Sequence, residues 1–158
     1  MAAQKPERPT APTTTISGSN VVIDWQAPTE NGSPIYSYII QIRRADGTSF
    51  ATDSTDCDGN KATIVSQTQC TVPISTLRAA SFQLPWGASI HAKVTAINLY
   101  GLSEESPVGN GAYILTAPDR PVNLAEFYAS RSATTLGLEW TAGTANGGAP
   151  VLDYRVTY

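Results

Sequence analysis

The sequence predicts an all-β protein that folds as an antiparallel β-sandwich, and three observations carry the prediction. Apolar and polar residues alternate with a period of two along several short segments, as they do on strands with one buried face. Turn-forming residues separate these segments at intervals of about 8–12 residues, which is typical of sandwiches. The same order of features then occurs a second time along the chain, which predicts two related units in tandem.

The strands predicted in the first unit include residues 21–26, 36–43 and 90–97. Each alternates between an apolar and a wetter face, whereas no segment longer than a turn or two shows a helical period. Turns containing Asn-Gly, Asp-Gly and Tyr-Gly pairs lie between strands. The apolar faces carry the side chains that we expect in the core, which are Trp25, Tyr38, Val94 and Ala96.

The second unit repeats the first at a distance of about 115 residues. Each unit opens with a proline-rich segment, and Trp25 of the first corresponds to Trp140 of the second. Tyr38 and Tyr154 each lie four residues after a proline that closes an Asn-Gly turn. Four correspondences in the same order predict tandem domains rather than the short repeats of a solenoid.

These residues resemble those of fibronectin type III domains, a family of immunoglobulin-like β-sandwiches. That family has a core Trp on strand B, here Trp25 and Trp140, and a core Tyr on strand C, here Tyr38 and Tyr154. From strand F onwards it has the pattern V-x-A-x-N-x-x-G. The same spacing runs here from Val94 to Gly101. Antibody-type domains have their Trp on strand C and a cysteine pair on strands B and F, and neither holds here.

The resemblance implies one complete fibronectin type III domain at residues 9–116, after an N-terminal tail at residues 1–8. Residues 117–158 would then supply strands A, B and C of a second domain. The stretch at residues 70–87 also resembles repeats in very large extracellular surface proteins of protists. One departure from the family is that the position of its tyrosine corner is occupied by Ile90, so we expect the neighbouring Leu-Pro-Trp-Gly segment to pack there instead.

An insertion at about residues 53–70, between strands C′ and E, contains both cysteines of the chain, Cys57 and Cys70. Their spacing does not match a CxxC redox or metal motif, which leaves a disulfide or two free buried thiols. A disulfide would stabilise the insertion by about 3 kcal/mol and would indicate an oxidising compartment. We therefore expect an extracellular or cell-surface protein.

The insertion also carries a cluster of oxygen-bearing side chains, and calcium prefers such ligands. The spacing does not match an EF-hand, since Lys61 and Gln67 occupy the positions that need Gly and Glu. A solvated polar loop without metal is the alternative. The candidate calcium ligands are Asp53, Asp56, Asp58 and Asn60.

The sequence contains no pattern that predicts catalysis. His91 is the one histidine, and no GxSxG nucleophile motif or glycine-rich phosphate loop accompanies it. We expect His91 on the outward face of strand F and predict neither enzymatic activity nor a cofactor.

Two surface features could carry contacts. Asn31 opens the one N-glycosylation sequon, Asn-Gly-Ser, although Pro34 directly after it disfavours modification and the turn needs Asn-Gly in any case. Trp86, Tyr100 and Tyr113 could form an aromatic contact patch for sugar or protein. The alternative for Trp86 is a plug at the end of the core.

Charge and hydropathy exclude two classes of partner. The net charge is −3, and the ten basic residues are scattered rather than clustered. Nucleic acid and anionic membrane surfaces are therefore poor partners. No apolar run reaches the roughly 18–20 residues of a membrane-spanning helix, so we predict no membrane insertion by this segment.

The second unit would leave an apolar face and a strand edge uncovered. Either residues 117–158 are part of a longer tandem array, or another protein chain or a copy of this one supplies the missing strands, which would build a filament.

Three functions remain open at this point. The first is a non-catalytic structural or adhesive module of an extracellular tandem-repeat protein. The second is a self-assembling fibril subunit that polymerises by β-strand complementation. The third is an accessory module of a secreted enzyme that binds polysaccharide.

Overall fold

In the computed structural model, which describes residues 2–158, the chain folds into two units, Met1–Ile114 and Leu115–Tyr158. Short antiparallel strands are the main regular secondary structure of the first unit, as the alternation in the sequence predicts. No helix within the described residues is long and apolar enough to cross a lipid bilayer. The strands of the first unit are β1 (Thr13–Ser17), β2 (Asn20–Asp24), β3 (Ser37–Arg43), β4 (Phe50–Ala51), β5 (Gln69–Pro73), β6 (Ala92–Asn98) and β7 (Gly101–Leu102).

These strands form the two antiparallel sheets of a sandwich. One sheet has the order β1-β2-β5 and the other has the order β4-β3-β6-β7. The register pairs Ile23 with Cys70 in the first sheet and Ile40 with Val94 in the second. Because side chains alternate along each strand, this register directs one apolar face of each sheet toward the other.

The core between the sheets confirms the four side chains expected there. Trp25 and Tyr38 are each 3% exposed, and their rings meet edge to face with centroids 5.2 Å apart. Val94 and Ala96 on β6 are fully buried. Burial raises the pKa of the Tyr38 phenol, because ionisation would place a charge in the apolar core.

A buried threonine performs the bonding that a tyrosine corner would supply. Ile90 is fully buried where the family has its tyrosine. The Thr14 hydroxyl on β1 donates to the Ile90 carbonyl oxygen at 3.1 Å and accepts from the Ala112 N–H at 2.9 Å. Thr14 is 2% exposed, so both bonds lie away from water and tie β1 to the segments that precede β6 and follow β7.

Two short helices that the sequence pattern did not predict flank β5. They are α1 (Ala62–Gln67) and α2 (Ile74–Arg78). Six and five residues give fewer than two helical turns, which is too short for a helical period to stand out. Each helix is held by burial of one face, through Ile64 on α1 and Leu77 on α2.

The N-terminal tail predicted at residues 1–8 is hydrogen-bonded to the first unit between Gln4 and Glu7. The Gln4 N–H donates to the Asn31 carbonyl oxygen at 3.0 Å, and the Glu7 N–H donates to the Thr29 carbonyl oxygen at 2.9 Å. The Gln4 carbonyl oxygen in turn accepts from Asn98 Nδ2 at 2.8 Å. The segment is ordered because the turn before β3 and the end of β6 offer these unpaired backbone and amide groups.

In the second unit, two of the three predicted strands form. They are β8 (Val122–Glu126) and β9 (Leu138–Thr141), with a 3-10 helix at Tyr128–Ser130 between them. The predicted strand C is wrong as a strand, because residues 151–158 form none. Its counterpart β3 pairs with β4 and β6, and the second unit holds no equivalent of either partner.

Candidate functional site

The insertion at residues 53–70 is cross-linked to the sandwich. Cys57 in the loop and Cys70 on β5 form a disulfide with their Cα atoms 5.2 Å apart. The disulfide interpretation is therefore confirmed, and the interpretation as two free thiols is wrong. Both cysteines are 3% exposed, so the cross-link anchors the loop at the margin of the core.

The loop also lies along the edge of β3 that the two-residue strand β4 leaves open. The Tyr38 N–H donates to the Gly59 carbonyl oxygen at 3.0 Å, and the Ser37 hydroxyl donates to Asn60 Oδ1 at 2.8 Å. A Cβ atom at Gly59 would overlap the carbonyl of Tyr38, so only glycine permits this approach. The insertion thus covers an exposed sheet edge.

The carboxylates of the insertion act first on their own backbone. Asp53 Oδ1 accepts from the Thr55 N–H at 2.8 Å, and Asp58 Oδ1 accepts from the Asn60 N–H at 3.0 Å. The bond from the Asn60 N–H, together with one from its side chain, lowers the pKa of Asp58. Such bonds shape local turns and leave the second oxygen of each carboxylate for other partners.

A cavity of about 170 Å³ opens between this loop and β3. Three of the four candidate calcium ligands, Asp53, Asp58 and Asn60, line it. Asp56 does not line the cavity, and its Oδ2 accepts from the Thr76 hydroxyl at 3.3 Å. Among residues 2–158 no group of three or more His, Cys, Asp or Glu side chains is placed to hold a metal ion.

Asp53 stands out within this cavity. Its side chain belongs to a residue only 8% exposed, and Asp53 Oδ2 has no hydrogen-bond partner. A buried carboxylate oxygen without a partner loses its hydration without compensation, so it favours any donor or cation that reaches it. This combination of cavity and unpaired oxygen makes the insertion the candidate functional site.

The aromatic contact patch expected from the sequence is not assembled. Tyr113 forms an isolated bridge with Ser89, three residues from Trp86, whereas Tyr100 follows the far end of β6. A seven-residue strand spans about 23 Å, which separates Tyr100 from the other two rings. Trp86 is half-buried against the core, and the Arg78 guanidinium lies 4.0 Å from its ring centroid, as fits a plug.

The sequon lies on a turn, as expected, but its amide is engaged. Asn31 Nδ2 donates to the Lys5 carbonyl oxygen at 2.9 Å and to Glu7 Oε1 at 3.1 Å. Ser33, the third residue of the sequon, is 4% exposed. Glycosylation of Asn31 stays a prediction, and attachment of a glycan would require the N-terminal segment to give up one of these bonds.

The second unit repeats the aromatic pair of the first without covering it. Trp140 and Tyr154 meet edge to face with centroids 5.4 Å apart. They are 37% and 41% exposed, against 3% for each ring of the first pair. The second unit therefore presents an apolar face that its own strands leave open to solvent.

Sequence patterns did not predict the contacts of three residues, of which only Gly59 belongs to the insertion. Arg78 lies eight positions before Trp86, and nothing in that spacing marks a stacked pair. Thr14 sits in a run of three threonines, of which only tertiary packing selects one for burial. A glycine between Asp58 and Asn60 has the composition of a turn, so the sequence gave no sign that Gly59 contacts β3.

Comparison with known proteins agrees with this architecture. No protein-family model matches the sequence. The chain is similar to the sixth fibronectin type III domain of human fibronectin type III domain containing protein 3, with 16% identity and a TM-score of 0.50 over 72% of this chain and 90% of that one. It is also similar to a structure of titin kinase and its flanking domains, with 20% identity and a TM-score of 0.50 over 70% of this chain.

The chain covers 18% of that titin structure. It is also similar to domains A168-A170 of titin, with 21% identity and a TM-score of 0.49 over 68% of this chain and 32% of that one. At these identities the likeness concerns the fold alone. The match to titin kinase runs through its fibronectin type III domains only. The chain is an immunoglobulin-like β-sandwich with the fibronectin type III fold.

Proposed function

From this fibronectin type III fold we propose that the chain is a non-catalytic structural or adhesive module of an extracellular or cell-surface protein built from tandem repeats. The repeated aromatic pair carries the proposal. Trp25 with Tyr38 and Trp140 with Tyr154 meet edge to face at 5.2 and 5.4 Å, about 115 residues apart. Units of one kind joined by a short proline-containing segment are suited to holding surfaces at a fixed distance.

The disulfide supports a location outside the cell. The fibronectin type III fold alone does not decide location, since it occurs in intracellular proteins such as titin as well as in extracellular ones. Structural disulfides persist in oxidising compartments and are rare in the cytosol. Cys57 and Cys70 are the two cysteines of the chain and both are buried in the cross-linked state, which supports a location outside the cytosol.

A non-catalytic role is supported by where the one histidine lies. His91 faces Arg43 across the sheet, with Arg43 Nη2 2.7 Å from His91 Nδ1. A ring held against a guanidinium on the outer face of a sheet is placed for cross-strand bonding rather than for relay of a proton to a nucleophile.

The location is tested on the protein taken from its own cells. Cells are lysed in an alkylating agent, and peptides are mapped without reduction. We expect the peptides that contain Cys57 and Cys70 to be recovered as a linked pair. Recovery of both cysteines in alkylated form would place the protein in a reducing compartment and overturn the proposal of an extracellular module.

A second candidate function is self-assembly into a fibre through the second unit, and the exposed Trp140 and Tyr154 favour it. In the first unit the equivalent pair is covered by strands of the opposite sheet. Strands from a second copy of this chain could cover the second unit in the same way, and a head-to-tail contact of this kind propagates.

Light scattering on residues 1–158 tests this second candidate. Self-assembly predicts oligomers or filaments that Trp140→Ser disperses. The matched control is Tyr128→Ser, which removes an aromatic ring that is 72% exposed and lies outside both strands of the unit. A monomer at all concentrations, or equal dispersal by both substitutions, would exclude assembly through this face.

A further inference from the structure

We propose that the cavity beside the disulfide-linked loop is a low-affinity calcium site organised by Asp53. The site lies in the first unit and does not depend on whether the protein is structural or adhesive. The loop at residues 53–61 is anionic, because three aspartates and one lysine give a formal charge of −3 + 1 = −2. The negative charge of the loop and the buried carboxylate both favour binding of a cation in the cavity.

Burial of Asp53 is the first step. At 8% exposure its carboxylate is almost fully removed from water, yet only Oδ1 is satisfied, by the Thr55 N–H at 2.8 Å and the Asp56 N–H at 3.4 Å. Oδ2 has no partner. Burying a carboxylate oxygen without compensation costs several kcal/mol, and native proteins seldom leave this cost uncompensated.

Among residues 2–158 no ion pair gives Asp53 the missing positive charge. The nearest cation in sequence, Lys61, donates its Nζ to the Thr55 carbonyl oxygen at 2.6 Å. Within residues 2–158 the ion pairs are Lys93 with Glu105 and Arg131 with Glu126, and neither involves Asp53. A mobile cation from solution can therefore compensate Asp53 without displacing an internal partner.

The cavity offers further oxygens at the same place. Asp58 lines it with one carboxylate oxygen already bonded to Asn60 and the other free of a hydrogen bond among the described residues. Ser54 and Asn60 add neutral oxygens, and 170 Å³ exceeds the volume of one water molecule several times. Calcium takes six to eight oxygen ligands in irregular geometry, and retained water would complete such a shell.

The walls of the site are fixed before a ligand arrives. The Cys57–Cys70 disulfide and the bond from the Tyr38 N–H to the Gly59 carbonyl oxygen hold both sides of the loop. Magnesium demands near-ideal octahedral geometry and gives up water reluctantly, so an irregular fixed wall selects calcium. With two carboxylates and otherwise neutral ligands, we expect a dissociation constant of about 10⁻⁴–10⁻³ M, in the range of extracellular modules.

The test uses terbium luminescence with residues 1–158. Tb³⁺ takes the same kind of oxygen ligands as calcium, and Tyr38 is one of the residues that line the cavity, so its ring lies near enough to sensitise the emission. We expect sensitised emission that calcium displaces at about 0.1–1 mM and that equal magnesium leaves in place. Asp53→Asn should weaken calcium competition about tenfold or more, because it removes the charge and keeps the oxygen that accepts from the Thr55 N–H.

Asp46→Asn is the matched control. Asp46 also accepts backbone bonds at 2.8 Å within a turn, but it is exposed and lies outside the cavity, so this variant should bind as the parent does. No sensitised emission from the parent, or equal displacement in Asp53→Asn, would overturn the proposal.

A second measurement on the unsubstituted protein keeps the proposal open to refutation if Asp53→Asn does not fold. Calcium at about 10 mM, some tenfold above the expected dissociation constant, should raise the thermal midpoint and slow reduction of the Cys57–Cys70 disulfide by dithiothreitol. Magnesium at the same concentration should do neither. Unchanged midpoint and reduction rate in calcium would show that no cation occupies the cavity and would exclude the site.

Discussion

Removal of the Cys57–Cys70 disulfide tests how far the cross-linked insertion stabilises the first unit. The double substitution Cys57→Ala with Cys70→Ala opens a loop whose ends are 13 residues apart in sequence. Closing a loop of this length lowers the entropy of the unfolded chain by an amount worth about 3 kcal/mol at 25 °C. Ala is preferred to Ser, since both positions are 3% exposed and a buried hydroxyl would add its own cost.

The assay is denaturant unfolding followed by circular dichroism, with a thermal scan beside it. A loss of about 3 kcal/mol corresponds to a fall of roughly 12–24 °C in the midpoint of a small domain. The unsubstituted protein in reducing agent retains both sulfur atoms, so it separates the effect of the cross-link from that of side-chain volume. Both samples should lose stability to within about 1 kcal/mol of each other.

A loss below about 1 kcal/mol in both samples would refute the reasoning, since the cross-link would then constrain nothing in the unfolded chain. A large loss in the double variant with none in the reduced protein would also refute it. In that case the effect would come from packing of the two sulfur atoms rather than from loop closure.

Three further predictions concern single groups. Thr14→Val should cost about 1–3 kcal/mol in urea unfolding, because it leaves the buried Ile90 carbonyl and Ala112 N–H without their shared partner. Gly59→Ala should cost about 1–3 kcal/mol in the same assay, since its Cβ would overlap a backbone carbonyl, whereas a measured change below 0.5 kcal/mol would contradict the close approach. Bonds from Ser49 and then Thr48 lower the pKa of Asp46 from 3.8 to about 2, so the stability that this carboxylate gives is complete above pH 3.8 and is lost as pH falls through 2. Thermal midpoints measured from pH 5 to pH 2 should fall less in Asp46→Asn, and parallel curves would contradict the assignment.

The sandwich core could be predicted from the sequence because its signal is local. Trp25, Tyr38, Val94 and Ala96 each lie in a segment of the sequence whose period of two marks the buried face, and all four are buried. The second occurrence of the Trp25 and Tyr38 pair, at Trp140 and Tyr154, could likewise be predicted from the order of residues along the chain alone.

What the sequence did not predict depends on partners distant in the chain. The sequence of residues 151–158 has the alternation of a strand, but no strand forms there because no neighbouring strand pairs with it. Tyr100 and Trp86 are both aromatic and near β6 in sequence, but the length of that strand separates them. Asp53 reads as one polar residue among several, and only packing shows that it is buried with an unpaired oxygen.

Single-molecule extension of residues 1–158, held at its two termini, tests the central claim that the first unit is a disulfide-linked structural module. We expect one cooperative unfolding event for that unit. Reduction should lengthen its release by about 40 Å, because 13 residues at about 3.5 Å each replace a Cα–Cα distance of 5.2 Å. Extension without a cooperative event, or a release length that reduction leaves unchanged, would show that the first unit is not a disulfide-linked structural module.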